Sequence, residues 1–480
     1  MKNILLSFFI LSLIPGLAEA QNAKGSEIRV KIKGYPDSVL YMGYYYGDKE
    51  LLKDSAMLNK KGWYVFKSEA PLPCGVYGII NQAKDTRMFE FVSNGREASF
   101  SIEADTADMH MSMKIEGSPE NTLFNSYLNF INKKGMARYE LQNALAAASE
   151  KPDSAAAYQE AIRKIDLEVT DFRKSFIRDH PEAIITKVFK AMQDPEVPEP
   201  PLNPDGTVDS TFRYRYFKAH YWDNVDFTDD CLVRSPVFHK RLERYMKQMT
   251  VQIPDSIIAS ADVIVNLARS QHEMYRYIVT WITSTYEKSP YMCMDAVVVH
   301  MYKNYYNYRE ATWVDTATMV RIKDRVRAME PLCCGKITPN LIMKDTLGKY
   351  VNLHKLDAKY TLLVFWDPDC SHCKTEIPKM YEVYKKFKGH GLEVYAVGVE
   401  QEYDKWIQFI RSHNLSWINV IDIYNESNFR YIYDIHSTPV VFLLDENKKI
   451  IGKKLGAETL QDVLEREFGQ KDRNAPIEEN

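Results

Sequence analysis

The sequence predicts a multidomain chain: an N-terminal antiparallel β-rich domain, an all-α middle domain and a C-terminal α/β domain. Two changes of hydrophobic period carry this reading. Apolar and polar residues alternate in short runs over 27–118, follow a helical spacing over 119–332, and from 335 form near-continuous apolar strands separated by helical segments. At 480 residues the chain also exceeds what one ordinary core holds.

The first twenty residues, MKNILLSFFILSLIPGLAEA, place a lysine at position 2, an apolar run from Ile4 to Leu17 and a small-x-small ending at Ala18–Ala20. That layout predicts a cleaved secretory signal over 1–20, a mature start at Gln21 and a periplasmic location. The run is shorter than the roughly 20 residues a spanning helix requires, so no stable membrane span is expected. A formal net charge of -3 and a pI near 6.4 supply no general basic field for nucleic acid.

In the β-rich segment, Ile28, Val30 and Ile32 alternate with Arg29, Lys31 and Lys33, and Asn94-Gly95 marks a turn. MHMSMKIEG near its end places Met109, Met111, Met113 and Ile115 on one predicted strand face. Beside His110 these sulfurs suggest a soft-metal site, but a core-facing strand has the same pattern, and no metal is assigned. Helical spacing begins with NTLFNSYLNFINKK and continues, with breaks, to Met192. Five prolines and a glycine over 195–206 form a loop. Beyond it Phe238, Leu242, Tyr245, Met246 and Met249, then Ile264, Leu267, Ala268, Tyr275, Ile278 and Ile282, mark further helices. The tyrosines of YKNYYNYRE read as packing.

From 335 the grammar is α/β. TLLVFW, VYAVGV and PVVFLL read as strands buried on both faces, with helices near 371–388, 401–413 and 425–433. A hairpin in LDENKKIIGKKL, a last helix near 459–468 and a polar tail over 471–480 complete the domain.

Seven cysteines in an exported chain call for an account, because such compartments oxidise exposed thiol pairs. Cys370 and Cys373 alone show a spacing with a mechanism. The remaining five are an odd number, so at least one lacks an intrachain partner; Cys74, Cys231 and Cys293 are expected as small buried apolar residues.

Cys370-Ser-His-Cys373 follows the first central strand and opens a helix. Three readings stand: a redox dithiol, half of a zinc clip, or a structural staple. A helix start favours an anion and lowers a thiol's pKa, and residues three apart face each other. His372 adds charge when protonated, while Asp369 and Asp367 act oppositely. Zinc requires a second ligand pair, and adjacent Cys333-Cys334 is a poor one. Haem attachment requires histidine where Lys374 stands. A tiny disulfide loop constrains little of the unfolded chain. Pro378 falls within the predicted helix, where a kink is expected.

The segment FWDPDCSHCKTEIP resembles the active-site segment of the thioredoxin superfamily, in particular exported TlpA- and ResA-like thiol:disulfide oxidoreductases. GKITPNLIMKDTLGKYVNLHKL resembles their entry hairpin and HSTPVVFLLDENKKIIGKKLG their cis-proline segment; the resemblance covers 335–470. It implies a thioredoxin fold, Cys370 as nucleophile, Cys373 as resolving thiol and Glu376 as acid–base carboxylate. Thr438, Pro439 as the cis-proline, and Trp366 are assigned to substrate binding, and His372 and Asp369 to tuning of the thiols. No cofactor is implied. The partners implied are disulfide-containing exported proteins and a thiol donor. Asp369 stands where relatives commonly have tryptophan, and Val364 where thioredoxin has a buried aspartate. WDPD before Cys370 lacks a peroxidase's threonine. The preceding β-rich and helical segments look like extra domains found ahead of thioredoxin-like domains in some exported Gram-negative proteins. The alternative is a non-catalytic binding protein that uses this fold as a scaffold.

Overall fold

The computed structural model describes residues 25–148, 152–399 and 402–473. The expected signal segment 1–20 and most of the tail lie outside them; 471–473 continue the last helix. The chain divides into two compact units between Arg241 and Leu242, inside the segment expected to be one helical domain.

In the first unit eight strands come first: β1 (Ser26–Lys33), β2 (Val39–Tyr46), β3 (Lys49–Met57), β4 (Tyr64–Ser68), β5 (Gly75–Ile80), β6 (Arg87–Ser93), β7 (Ser99–Asp105) and β8 (Lys114–Glu116). They form two four-stranded sheets, β4-β1-β7-β8 and β3-β2-β5-β6. Val30 and Phe66 from the first sheet and Met42 and Phe91 from the second belong to one buried cluster, which makes the module a sandwich. Pairing is antiparallel except between β1 and β7, which run parallel. The expected methionine strand is a correction: 106–112 turn back on themselves before β8, with Ser112 Oγ accepting from Asp105 N at 2.8 Å. Met109 and Met113 pack against the sandwich core and Met111 is exposed, so no common strand face joins them.

Helices follow: α1 (Pro119–Ala147), α2 (Pro152–Asp179), α3 (Ile184–Met192), α4 (Phe212–Ala219) and α5 (Phe238–Glu243). Ser118 caps α1 through Asn121 N–H, with proline in the first turn where no N–H is needed. Asn121 then docks the helix on β6: its amide donates to Val92 O at 2.8 Å and accepts from Val92 N at 2.7 Å. The cysteine expectation also needs correction. Cys74 and Cys231 form a disulfide in this unit, and Cys293 and Cys334 form one in the second; Cys333 is the odd thiol, free and buried. Sequence separations of 157 and 41 residues gave no spacing to read.

The second unit holds α6 (Pro254–Ala268), α7 (His272–Glu287), α8 (Asp295–Tyr305) and α9 (Thr316–Met329). Of the predicted apolar stripe here, Leu267 faces solvent while Ile264, Ala268, Tyr275, Ile278 and Ile282 are buried. The α/β part follows as β9 (Ile342–Asp345), β10 (Tyr350–Asn352), β11 (Tyr360–Trp366), α10 (Ser371–Phe387), β12 (Leu392–Gly398), α11 (Tyr403–Ser412), β13 (Ile418–Ile421), α12 (Phe429–Ile432), β14 (Val440–Leu444), β15 (Ile450–Lys453) and α13 (Ala457–Arg473). The sheet order is β10-β9-β13-β12-β11-β14-β15. β11 and β12 are parallel, as are β12 and β13, whereas β14 and β15 add antiparallel.

Every residue of β11 is buried because both faces are covered. Leu362, Val364 and Trp366 join the core under α10, α11 and α13; Leu363 and Phe365 join the opposite core with Phe429 and Tyr433. Two expectations shift here. β13 was missed because Ile418–Ile421 is only four residues, and the expected helix over 425–433 shrinks to the single turn of α12.

Candidate active site

The sheet register builds the site. Phe365 pairs with Val440, so the loop ahead of β14 lies beside the end of β11. From that end the chain turns through 367–369 and enters α10, which Cys370 precedes as its N-terminal boundary residue. Thr438 and Pro439 are joined by a cis peptide bond, and the Cys370 thiol donates to Thr438 O at 3.3 Å. The predicted nucleophile and the predicted cis-proline segment are therefore in contact. Pro378 lies inside α10, which runs on to Phe387.

The two thiols are free and sit in unequal surroundings. Cys370 is half-buried, and burial opposes its ionisation. Hydrogen bonds from the Thr438 side chain, from the Cys373 backbone and thiol and from the His372 backbone outweigh that, leaving the Cys370 thiol below its ordinary 9.0. Cys373 is wholly buried. Burial first, and then the hydrogen bond and charge of Cys370, push its thiol up to about 11 despite opposing hydrogen bonds from the Asp367 backbone and Thr438. One thiol is accessible and easily ionised; its neighbour is sheltered and protonated.

This asymmetry has a measurable sign. Thiolate is the reactive form, so a lowered pKa makes Cys370 reactive at neutral pH. Iodoacetamide should label Cys370 alone, with a rate midpoint below 9.0, and reach Cys373 only as pH approaches its raised value. Peptide mass mapping across a pH series checks this; labelling of Cys373 first would contradict it.

The neighbours divide differently from the sequence expectation. Asp369 pairs with Lys405 at 2.9 Å, and that ammonium holds its carboxyl below the usual range; the pair is exposed, and Lys405 carried no sequence sign of the role. His372 is exposed, and its influence on Cys370 runs through its backbone. Trp366 is a correction. It is entirely buried, with its ring centroid 4.9 Å from that of Phe409, so it builds the core instead of touching substrate. Val364 is buried beside it in the same core.

Glu376 lies one turn beyond Cys373, but its hydrogen bonds point elsewhere. Oε2 accepts from Ala457 N at 3.0 Å at the start of α13, and Oε1 meets Lys379 Nζ at 3.3 Å. The Ala457 N–H, then Lys379, hold the carboxyl below its usual range despite partial burial. Sequence separation hid this capping contact, because Glu376 and Ala457 are 81 residues apart. Among the described residues no cluster of three or more histidine, cysteine or acidic side chains is arranged to hold a metal ion.

A parallel-centred sheet with antiparallel edge strands, an unequal dithiol at a helix start and an adjacent cis-proline define a thioredoxin-fold thiol oxidoreductase. Comparison with known proteins narrows the class. Residues 334–453 match the AhpC/TSA family model. Over 130 residues the chain is 32% identical to thiol-disulfide oxidoreductase ResA of Bacillus subtilis, covering 27% of this chain and 72% of that protein. Over 134 residues it is 29% identical to ResA of Bacillus cereus, covering 28% of this chain and 76% of that protein. The chain belongs to the ResA-like thiol-disulfide oxidoreductases. Among solved structures, a domain of a possible thiol-disulfide isomerase from Cytophaga hutchinsonii is 44% identical, covering 30% of this chain and 98% of its own, with a TM-score of 0.28. Residues 26–124 and 157–330 match two domains of unknown function, DUF4369 and DUF5106.

Proposed function

We propose that this protein is exported to the periplasm and reduces disulfides of other exported proteins through Cys370 and Cys373. The carrying observation is the unequal pair: an accessible thiol lowered below 9.0 beside a buried one raised to about 11. Cys370 thiolate attacks one substrate sulfur, forming a mixed disulfide and expelling the other as a thiolate. Cys373 then loses its proton and attacks Cys370 Sγ. The Cys370–Cys373 disulfide closes, the second substrate thiolate leaves, and two electrons have passed to the substrate. A thiol donor restores the dithiol.

The geometry also times the second step. Part of the upward push on Cys373 comes from its hydrogen bond and charge interaction with Cys370. In the mixed disulfide Cys370 is uncharged, so that contribution disappears and Cys373 ionises more readily when it is needed. Turnover of insulin disulfides by the full chain, with dithiothreitol as donor, tests the reading. Reduction above the dithiothreitol background is expected; none would overturn it.

Glu376 is assigned here as the base that receives the Cys373 proton, in addition to its contact with α13. Glu376→Gln separates the two roles. As a base, its loss slows resolution of the mixed disulfide by about 10²-fold or more; as a cap alone, it lowers the melting temperature and leaves resolution unchanged. Single-turnover kinetics and a thermal melt read these outcomes. Export has its own test: protein recovered from the periplasm of an expressing Gram-negative cell should begin at Gln21, and a retained Met1 would contradict the assignment.

A further inference from the structure

An acid, Asp369, directly precedes Cys370 at the start of α10. A carboxylate beside a thiol opposes its ionisation, because two negative charges so close repel. The Cys370 thiol nevertheless lies below its ordinary 9.0. The structure shows where the carboxylate's charge goes. Asp369 Oδ2 accepts from Lys405 Nζ on α11 at 2.9 Å, and the same ammonium donates to Glu402 Oε1 at 3.1 Å.

Topology separates the acid from the thiol. In the sheet β11 lies between β12 and β14. The first turn of α11 packs on the end of β12, where a Cβ at Gly398 would meet the Trp406 ring at 2.5 Å; Thr438 instead leads into β14. Lys405 therefore draws the Asp369 carboxylate toward the β12 side, while the Cys370 thiol donates to Thr438 O at 3.3 Å on the β14 side. The backbone between them is braced. Asp367 Oδ1 accepts from Asp369 N at 2.7 Å, Asp367 O accepts from Cys370 N at 3.2 Å, and Pro368 is buried.

The other charged or titratable groups on the segments that meet at Cys370 are Asp367 in the turn, His372, Cys373, Lys374 and Glu376 on α10, Glu402 ahead of α11, and Asp434 and His436 ahead of the cis-proline. Glu376 is engaged by Ala457 N–H and Lys379, and Asp434 contacts His436 at 2.8 Å. Lys374 adds a smaller attraction to Asp369 than Lys405 does. Lys405 is thus the partner that fixes where the Asp369 charge sits, and it does so from a separate helix.

We propose that Lys405 is a positioning residue for the exchange reaction: by holding the Asp369 carboxylate on the β12 side, it keeps that negative charge from opposing the Cys370 thiolate. The inference rests on the redox reading above and extends it with a residue outside the dithiol helix that sets the reactivity of the attacking sulfur. Lys405 touches neither sulfur and acts through Asp369.

The test reads the thiol without any exchange step. Labelling of Cys370 by iodoacetamide is followed across pH on full-length proteins, with peptide mass mapping. In Lys405→Met the rate midpoint should rise by about 0.5 pH unit at low salt, leaving about threefold less thiolate at pH 7. The shift should shrink as salt rises, because the pair is exposed. Lys405→Arg should keep the parental midpoint. On an Asp369→Asn background, where no carboxylate is left to hold, Lys405→Met should move the midpoint by less than half as much. An unmoved midpoint in Lys405→Met would overturn the proposal. So would an equal shift on both backgrounds, since the ammonium would then act by its own charge and not by holding Asp369. Insulin turnover by the same proteins separates this from the redox reading. Turnover with an unmoved midpoint refutes the role of Lys405 alone, whereas a moved midpoint in a chain that reduces no disulfide supports that role and refutes the exchange.

Discussion

Cys370→Ser is expected to reduce disulfide exchange to the buffer background, and Cys373→Ser to leave the protein covalently joined to its substrate. The two cysteines fail differently because their surroundings differ. A serine hydroxyl at 370 supplies no thiolate, so the first bond never forms. Cys370 in the second variant keeps its position at the start of α10 and its contact with Thr438 O, so the mixed disulfide still forms. No buried thiol follows to resolve it. Non-reducing gels and mass spectrometry on the two full-length variants check this. Normal turnover by either would contradict the assignment, and mixed disulfides accumulating in Cys370→Ser would reverse the roles.

The second large effect concerns stability. Removing the Cys74–Cys231 disulfide as Cys74→Ala/Cys231→Ala frees a loop of 157 residues in the unfolded chain. Chain entropy puts that loss at about 5 kcal/mol as an upper figure. This is a large part of the roughly 5–15 kcal/mol that keeps a domain folded. The effect should appear as a lower midpoint for the first unit's transition in denaturant, with exchange by Cys370 retained wherever the α/β part remains folded. An unchanged midpoint would show that the bridge adds no stability. The same bridge is consistent with the proposed export, because oxidising compartments sustain such bonds.

The redox site was legible in the sequence because its chemistry is local. Cys370 and Cys373 are three residues apart, the apolar run ending at Trp366 announces the strand that positions them, and the segment around Pro439 has its own recognisable pattern. What escaped depends on chain topology. Nothing in the residues around 74 points to 231, or in those around 293 to 334, so Cys74, Cys231 and Cys293 read as separate buried cysteines and Cys334 only as the neighbour of Cys333. For Glu376 the resemblance implies an acid–base role, and nothing in its local sequence shows that α13 brings Ala457 N–H against it. Trp366 fails for another reason: the last residue of a strand can face the site or the core, and α11 covers it with Phe409. The methionine pattern fitted a strand, but hydrogen bonds within 105–113 close a turn that local alternation did not reveal.

The division of the chain was also hidden. Helical spacing runs on both sides of residue 241, so the sequence offers no change of period where the two compact units separate. Packing sets that boundary. The helices after it share a unit with the redox sheet, and Asp295 and Cys293 reach that sheet and its entry segment by an ion pair and a disulfide.

The most direct measurement is the redox equilibrium of purified residues 21–480 against glutathione and dithiothreitol buffers, followed by thiol trapping and peptide mapping, with Cys370→Ser as control. The account predicts a reversible two-electron Cys370–Cys373 couple with a potential nearer thioredoxin's roughly -270 mV than DsbA's roughly -120 mV. The absence of a reversible Cys370–Cys373 disulfide at any poise would contradict it.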